Sequence, residues 1–311
     1  MASPLDEHEA ARHPRNDDPH RQALKGSRPR VSAIWLGRTP TMKISCVIVS
    51  YNNGSLLEEA IMSVVRQTRP VDEIIVADDA STDGSRALID ALSQKYSNIK
   101  PIFRASNLGV SANRDLAMRE ACGDLITYLD GDDYFHPTKI EAEERALSQR
   151  RDVIAYSDVR WIDRRSNSVQ IGRNAYFSRL EASDRVRWLL KRTRQSPAAM
   201  LLPKNVHLKV GGYNHSLRTY EDWDYILRLA AEPLVWVHSG TEGVVVHPAG
   251  GLSRQSHFRH ARDELRVLRF NHEIARQHVG LPLLLATAGR LVAHHTKRGM
   301  IKWYRRTKGW T

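Results

Sequence analysis

Residues 127–133 of this chain read TYLDGDD, and their types and spacing could hold a metal ion. Asp130 and Asp132 stand two residues apart, which in extended chain puts both carboxylates on one face. Two carboxylates facing one point repel each other, and a divalent cation relieves that repulsion. Oxygen donors suit Mg²⁺ or Mn²⁺, and Mg²⁺ commonly combines one or two carboxylates with substrate phosphates. A solvated acidic turn after a strand would have the same sequence, so the pattern takes its meaning from its neighbours. A second acidic group, Glu221-Asp222-Trp223-Asp224, opens a helical pattern that runs on through Ile226, Leu227, Leu229 and Ala230. Acids in a first turn also favour the helix dipole, so that group has a purely structural reading too.

The elements that must position these residues follow a simple alternation. Ile44 to Ser50 is a nearly continuous apolar run, as expected of a strand buried on both faces. Leu57, Ala60, Ile61, Val64 and Val65 then keep a helical period. Glu73 to Ala77 is a second strand, residues 85–96 a helix, Ile99 to Phe103 a third strand, about 110–121 a helix, and Asp124 to Leu129 a fourth strand. Strand and helix at short intervals predict an α/β fold, with a mostly parallel sheet covered on both faces. Ligands of such sheets sit beyond the carboxyl ends of the strands. The polar loops Tyr51–Gly54, Asp78–Gly84, Arg104–Gly109 and Asp130–Asp133 all fall there. Gly131 is expected to let the backbone turn sharply.

Further on, the pattern predicts a helix from beyond Pro137 to about Gln149, a strand over 153–158 and an irregular stretch or hairpin over 160–180. It continues with a helix over 181–191, an apolar stretch over 198–202 and a turn at Gly211-Gly212-Tyr213. Two strand-like stretches at 234–237 and 243–246, a loop over 247–254 and one helix over 257–277 complete it. Residues 1–41, rich in Pro, Asp, Arg, His and Ser, read as a disordered arm, with Met42 an alternative start. The expected organisation is an arm over 1–41, a catalytic domain over 42–255 and a helical, basic extension over 256–311.

With 311 residues, a sizeable core is expected. The two cysteines, Cys46 and Cys122, sit in apolar segments and predict buried thiols in a reducing compartment rather than a disulfide framework. No apolar run is long enough for an ordinary transmembrane helix. The net charge of +12 is uneven: from Arg290 to Thr311, both included, stand seven Lys or Arg and no Asp or Glu. Apolar residues over 279–293, interrupted by Pro282 and Arg290, precede this basic and aromatic stretch. The combination suits an anionic membrane surface over 279–311, or a packed helix with a solvated basic end. No nucleic-acid-binding motif accompanies the charge, and the loop after the first strand offers only Gly54 where a dinucleotide fold wants G-x-G-x-x-G.

Taken in order, VIVSYNN, VADDASTDG, NLGVSANRD, DLITYLDGDD, GGYNHSL and EDWDYILRLA resemble family 2 of the glycosyltransferases, with the GT-A fold, over about residues 43–254. The resemblance implies inverting transfer of a sugar from a nucleotide-diphosphate donor to a hydroxyl of a saccharide or lipid-linked saccharide. It implies a part in cell-surface polysaccharide or glycolipid synthesis, and the expected location is the cytoplasm, with the basic tail allowing a peripheral place at the inner face of the plasma membrane. By the same resemblance Tyr51 and Asn52 contact base and ribose, and Asp79 reads the base, usually uracil. Arg104 and Arg114 lie near the donor, although Asp115 replaces the Asn that usually follows that second Arg. Asp130 and Asp132 hold Mn²⁺ or Mg²⁺ with Asp133 as accessory, and Asp222, preceded by Glu221, is the base. His247 and Arg254 resemble the late residues that close over the pyrophosphate, His247 being counted with the metal ligands. Trp223 would serve as a sugar platform or pack in the core. Asp79 could instead cap the next helix, a task Asp83 or Ser81 could perform equally. A sugar-nucleotide-binding protein without transfer, and a dinucleotide-binding oxidoreductase, are the competing readings. Acceptor specificity is expected in residues 160–220.

Overall fold

Four parallel strands set the frame. The structure, a computed structural model, describes residues 42–163, 168–191, 195–247 and 257–307. The expected arm over 1–41 and Arg254 lie outside them. Strand β1 (Ile44–Ser50) and strand β2 (Glu73–Asp78), either side of helix α1 (Leu56–Val65), are buried along their whole length. Helix α2 (Ser85–Lys95), strand β3 (Ile99–Phe103), helix α3 (Val110–Glu120) and strand β4 (Leu125–Asp130) follow. These four strands pair in parallel in the order β3-β2-β1-β4. Their register decides where the chemistry sits: Ser50 lies beside Asp78, and Val49 beside Asp130. Three strand ends, each leading into a polar loop, therefore stop at one level.

The second half of the sheet is mixed. The short strand β5 (Tyr134–Phe135), helix α4 (Lys139–Leu147), strand β6 (Val153–Asp163) and strand β7 (Ser168–Gly172) come first. Helix α5 (Ala182–Lys191), strand β8 (Met200–Pro203), helix α6 (Lys204–Lys209), helix α7 (Glu221–Ala231) and strand β9 (Val235–Val246) complete it. Strand β8 joins β4 to β6 antiparallel on both sides, β9 runs parallel to β6, and β5 pairs antiparallel with the end of β9. The expected hairpin over 160–180 is β6 and β7, in antiparallel pairing.

Several boundaries differ from the sequence expectation for physical reasons. The two stretches expected at 234–237 and 243–246 are one strand, because a register shift against Tyr156–Val159 absorbs Ser239-Gly240-Thr241, with Gly240 at φ 79°. The helix expected over 257–277 is two, α8 (His257–Phe270) and α9 (His272–Val279). Asn271 stands at the break and turns its side chain to Asp224. Helix α10 (Leu281–Thr307) runs through Arg290, and Pro282 falls in its first turn, where a missing N–H costs nothing. Strand β5 and helix α6 were not foreseen. Cys46 is buried and its thiol is pushed up to about 12 by burial, whereas Cys122 is exposed, just beyond the end of α3.

Candidate active site

The first two loops at the strand ends are stitched together. Asn52, held at φ 54°, accepts the Thr82 N–H on Oδ1 at 2.8 Å, and its own N–H donates to Ser81 Oγ at 2.9 Å. Asp83 accepts from Gly54 N at 3.0 Å and from Ser85 N at 2.9 Å, so from just outside α2, whose N-cap is Gly84, it satisfies the helix's first N–H. Asp79 is thereby left for another task. Both of its carboxylate oxygens accept backbone N–H groups of the third loop, Leu108 and Gly109, each at 2.8 Å. Tyr51 stands at the rim of this layer, 50% exposed. Arg104 is turned to α3: its guanidinium donates to Asn113 and Glu120.

The acidic loop after β4 is held just as closely. Gly131 N–H donates to Val49 O at 2.9 Å. A Cβ here would meet Asn53 Oδ1 at 2.8 Å and Val49 O at 2.9 Å, so glycine serves close approach of two loops rather than a special φ. Gly131→Ala should therefore destabilise the fold by about 1–3 kcal/mol, read from urea unfolding. Burial, then Asp130, raises the Asp132 carboxyl, and burial with Asp130 and Asp132 pushes Asp133 up to about 8. Antiparallel pairing of β5 with β9 brings the end of β9 onto this loop, where His247 N–H donates to Asp133 Oδ1 at 2.9 Å.

The centre of the site is Arg114, only 1% exposed. Its Nη2 donates to Asp130 Oδ1 at 2.6 Å, and its Nη1 to Glu221 Oε1 at 3.1 Å and to Asp222 Oδ1 at 3.0 Å. The guanidinium lies 4.2 Å from the centre of the Tyr128 ring and 5.1 Å from that of Tyr213. Tyr128 hydroxyl also donates to Asp222 Oδ1, at 3.1 Å. One buried cation thus joins the strand-end aspartate to the first turn of α7. Burial raises both Glu221 and Asp222; each carboxyl repels the other or Asp130, and Arg114 pulls both back down. Asp222 keeps its side chain 38% exposed, open to a ligand.

Asp115, which departs from the family pattern, is a structural post. Burial would raise its carboxyl, but His207 Nε2 at 3.3 Å, Arg119 Nε at 2.9 Å, His215 Nε2 at 2.8 Å and Tyr213 N at 2.9 Å together hold it well below the usual range. It fixes the turn that places the Tyr213 ring on Arg114. Trp223 packs in the core, with Nε1 donating to Leu189 O at 3.1 Å.

The structure therefore brings together Asp130, Arg114 and Asp222, with Asp132 and Asp133 in the loop that begins at Asp130. Asn52 and Asp79 knit the loops at the same strand ends, and Arg104 is engaged elsewhere. The set Asp130, Asp132 and His247 needs correcting: among the described residues, no group of three or more His, Cys, Asp or Glu could hold a metal by itself. Asp130 is turned toward Arg114, and His247 meets the acidic loop through its backbone N–H. What remains is a two-carboxylate site of oxygen donors, which fits an ion that takes its other ligands from substrate phosphates. Sequence reasoning missed Tyr128 and Tyr213, and it missed that Arg114 is buried. Arg114, Ala117 and Met118 share one helical face, and that spacing was the available signal.

Residues 45–210 match the sequence profile of glycosyl transferase family 2. The chain belongs to that family. Membership of that family speaks against the competing oxidoreductase reading. The chain is similar to a cholesterol galactosyltransferase of Borreliella burgdorferi, at 39% identity over 36% of this chain and 31% of that one. It is similar to a poly(ribitol-phosphate) beta-glucosyltransferase of Bacillus spizizenii, at 43% identity over 30% of this chain and 15% of that one. These matches span about a third or less of those relatives. Among solved structures, S. aureus TarS 1-349 in complex with UDP-GlcNAc superposes with a TM-score of 0.63 at 16% identity, over 82% of this chain and 73% of that one. The UDP complex gives 0.61 at 16% identity, over 82% and 72%. That likeness shows the GT-A fold.

Proposed function

We propose that this family 2 glycosyltransferase moves a sugar from a UDP-sugar to an acceptor hydroxyl with inversion, using Asp222 as base and Mn²⁺ or Mg²⁺ at Asp130 and Asp132. The observation that carries the reading is Arg114 spanning Asp130 and Asp222 with one guanidinium. The carboxylate suited to the donor and the one suited to the acceptor are then a single side chain apart. TarS, a protein of the same fold, is complexed with UDP and UDP-GlcNAc, which supports the choice of donor.

Each residue has a task in this reading. Asp222 Oδ1 is occupied by Arg114 and Tyr128, so Oδ2 is the oxygen that takes the acceptor proton. Burial raises the Asp222 carboxyl, which strengthens it as a base, and Arg114 opposes that rise. A carboxylate so placed contributes roughly 10²–10⁴-fold to transfer. When bound, the divalent ion would neutralise charge on the departing diphosphate and orient its oxygens. Asp79 is held rigid by Leu108 and Gly109, with lone pairs left to accept an N–H of the base. Tyr51, at the rim, would cover that base. We assign this chemistry to residues 42–255 and treat 256–311 as an extension. The acceptor would be a saccharide or lipid-linked saccharide, met at the cytoplasmic face of a membrane.

Titration calorimetry tests the donor half. UDP should bind in the presence of Mn²⁺ or Mg²⁺ and lose at least about tenfold in affinity with chelator, since carboxylates left without the cation repel the diphosphate. Equal binding with and without chelator would remove the metal from the mechanism. A panel of UDP-sugars in the same assay would then identify the sugar.

A further inference from the structure

Helix α10 is apolar on two faces. Leu284, Thr287, Ala288 and Leu291, at helical spacing, face the body of the protein, with Thr287 only 1% exposed. Leu281 and Leu285 point the other way and are 54% and 61% exposed, with Val292 at 46% two turns on. Pro282, Ala286, Gly289 and Ala293 lie exposed along the same side, so no acidic residue interrupts it. Arg290 is tied back to Leu190 O at 2.9 Å, which pins the helix to α5. Immediately beyond, the sequence adds Lys297, Arg298, Lys302, Arg305, Arg306 and Lys308, with Trp303, Tyr304 and Trp310 among them.

We propose that this side of α10 is a docking surface for an anionic lipid bilayer, on which the helix lies in the plane of the interface. An apolar helix face next to a cationic, aromatic stretch is the pattern of interfacial helices. Among the described residues no helix is long and apolar enough to cross a membrane, so the contact is lateral. A second copy of the chain paired in parallel through α10 is disfavoured as occupant, because it would bring two strongly positive stretches together, whereas an anionic surface complements them. Each Lys or Arg near an anionic surface strengthens partitioning by roughly fivefold.

The surface is mechanically joined to the site. Helix α10 packs on α8 and α9. From those helices Asp263 accepts Thr219 Oγ1 at 2.9 Å, His260 meets Tyr220 hydroxyl at 3.0 Å, and Asn271 donates to Asp224 at 2.7 Å. These contacts hold the entrance to α7, including Tyr220 at φ 61°, two residues before Asp222. A docked α10 would present the base to acceptors resident in the membrane. That last step rests on the transfer reading above; docking itself does not.

The test is co-sedimentation of the full chain with phosphatidylglycerol-containing vesicles and with pure phosphatidylcholine vesicles. The chain should sediment with the first and only weakly with the second. Leu281→Glu/Leu285→Glu should weaken that binding by about tenfold or more, and Lys297→Gln/Arg298→Gln by about fivefold per charge. Both variants should keep UDP affinity and circular dichroism unchanged, which separates a failed surface from a failed site or fold. Undiminished sedimentation of the first variant, or failure of the parent chain to bind anionic vesicles, overturns the proposal. A dimer in analytical ultracentrifugation that the first variant dissociates, with vesicle binding unaltered, overturns it in favour of a second copy.

Discussion

Asp222→Asn should lower sugar transfer by roughly 10²–10⁴-fold while leaving UDP binding and thermal stability close to those of the parent. The side-chain oxygen that replaces Oδ1 can still accept from Arg114 and Tyr128, so the shape of the site survives. What disappears is Oδ2 as a proton acceptor, its place taken by an amide that already carries hydrogens. Asp222 is partly exposed, and two carboxylates, Asp130 and Glu221, remain to balance Arg114. Single-turnover transfer with the donor identified by calorimetry is the measurement. Transfer at the parent rate would refute the assignment of the base.

Arg114→Met should be the more damaging change to the protein itself. Methionine fits the space between the Tyr128 and Tyr213 rings but leaves three carboxylates without their shared cation. Removing one partner of a buried ion pair costs about 3–5 kcal/mol, and here one residue serves three partners. The pH dependence gives the effect a signature. In the parent chain burial already raises Asp222 and Glu221 above the ordinary carboxylate range near 4. Stability from such groups is present below that range and is lost as pH rises through their raised values. Without Arg114 they rise further, so the variant's deficit in urea unfolding should widen as pH rises from the parent's raised values, about 7 for Glu221, toward the variant's higher ones. The acid limb of its residual transfer should also move to higher pH, since the base holds its proton longer. A deficit independent of pH would mean that Arg114 acts by packing alone.

Much of this arrangement was legible in the residues, because buried parallel strands announce themselves. ISCVIVS and EIIVA admit few alternatives, and the loops that follow them fall at one end by topology. The short elements were not legible. Strand β5 has two residues and exists because β9 supplies its partner, a contact that joins positions far apart in sequence. The site divides in the same way. Asp130 and Asp222 could be read from spacing and resemblance, whereas Asn52 and Asp79 serve neighbouring loops in ways no local pattern encodes. Arg114 could be placed near the donor by resemblance alone. Its burial among carboxylates follows from α3 lying across the strand ends, which is a property of the packed molecule.

The sheet runs without a break from β3 to β5 through the antiparallel strand β8. Two lobes sharing one ladder of backbone hydrogen bonds cannot swing apart like a clam shell without tearing that ladder. Entry and departure of substrates are therefore expected to involve loop rearrangement around a stiff floor. Amide hydrogen exchange should show it as uniformly slow deuterium uptake along β1, β4, β8 and β6, unchanged when UDP is added, with any protection gained confined to the rim.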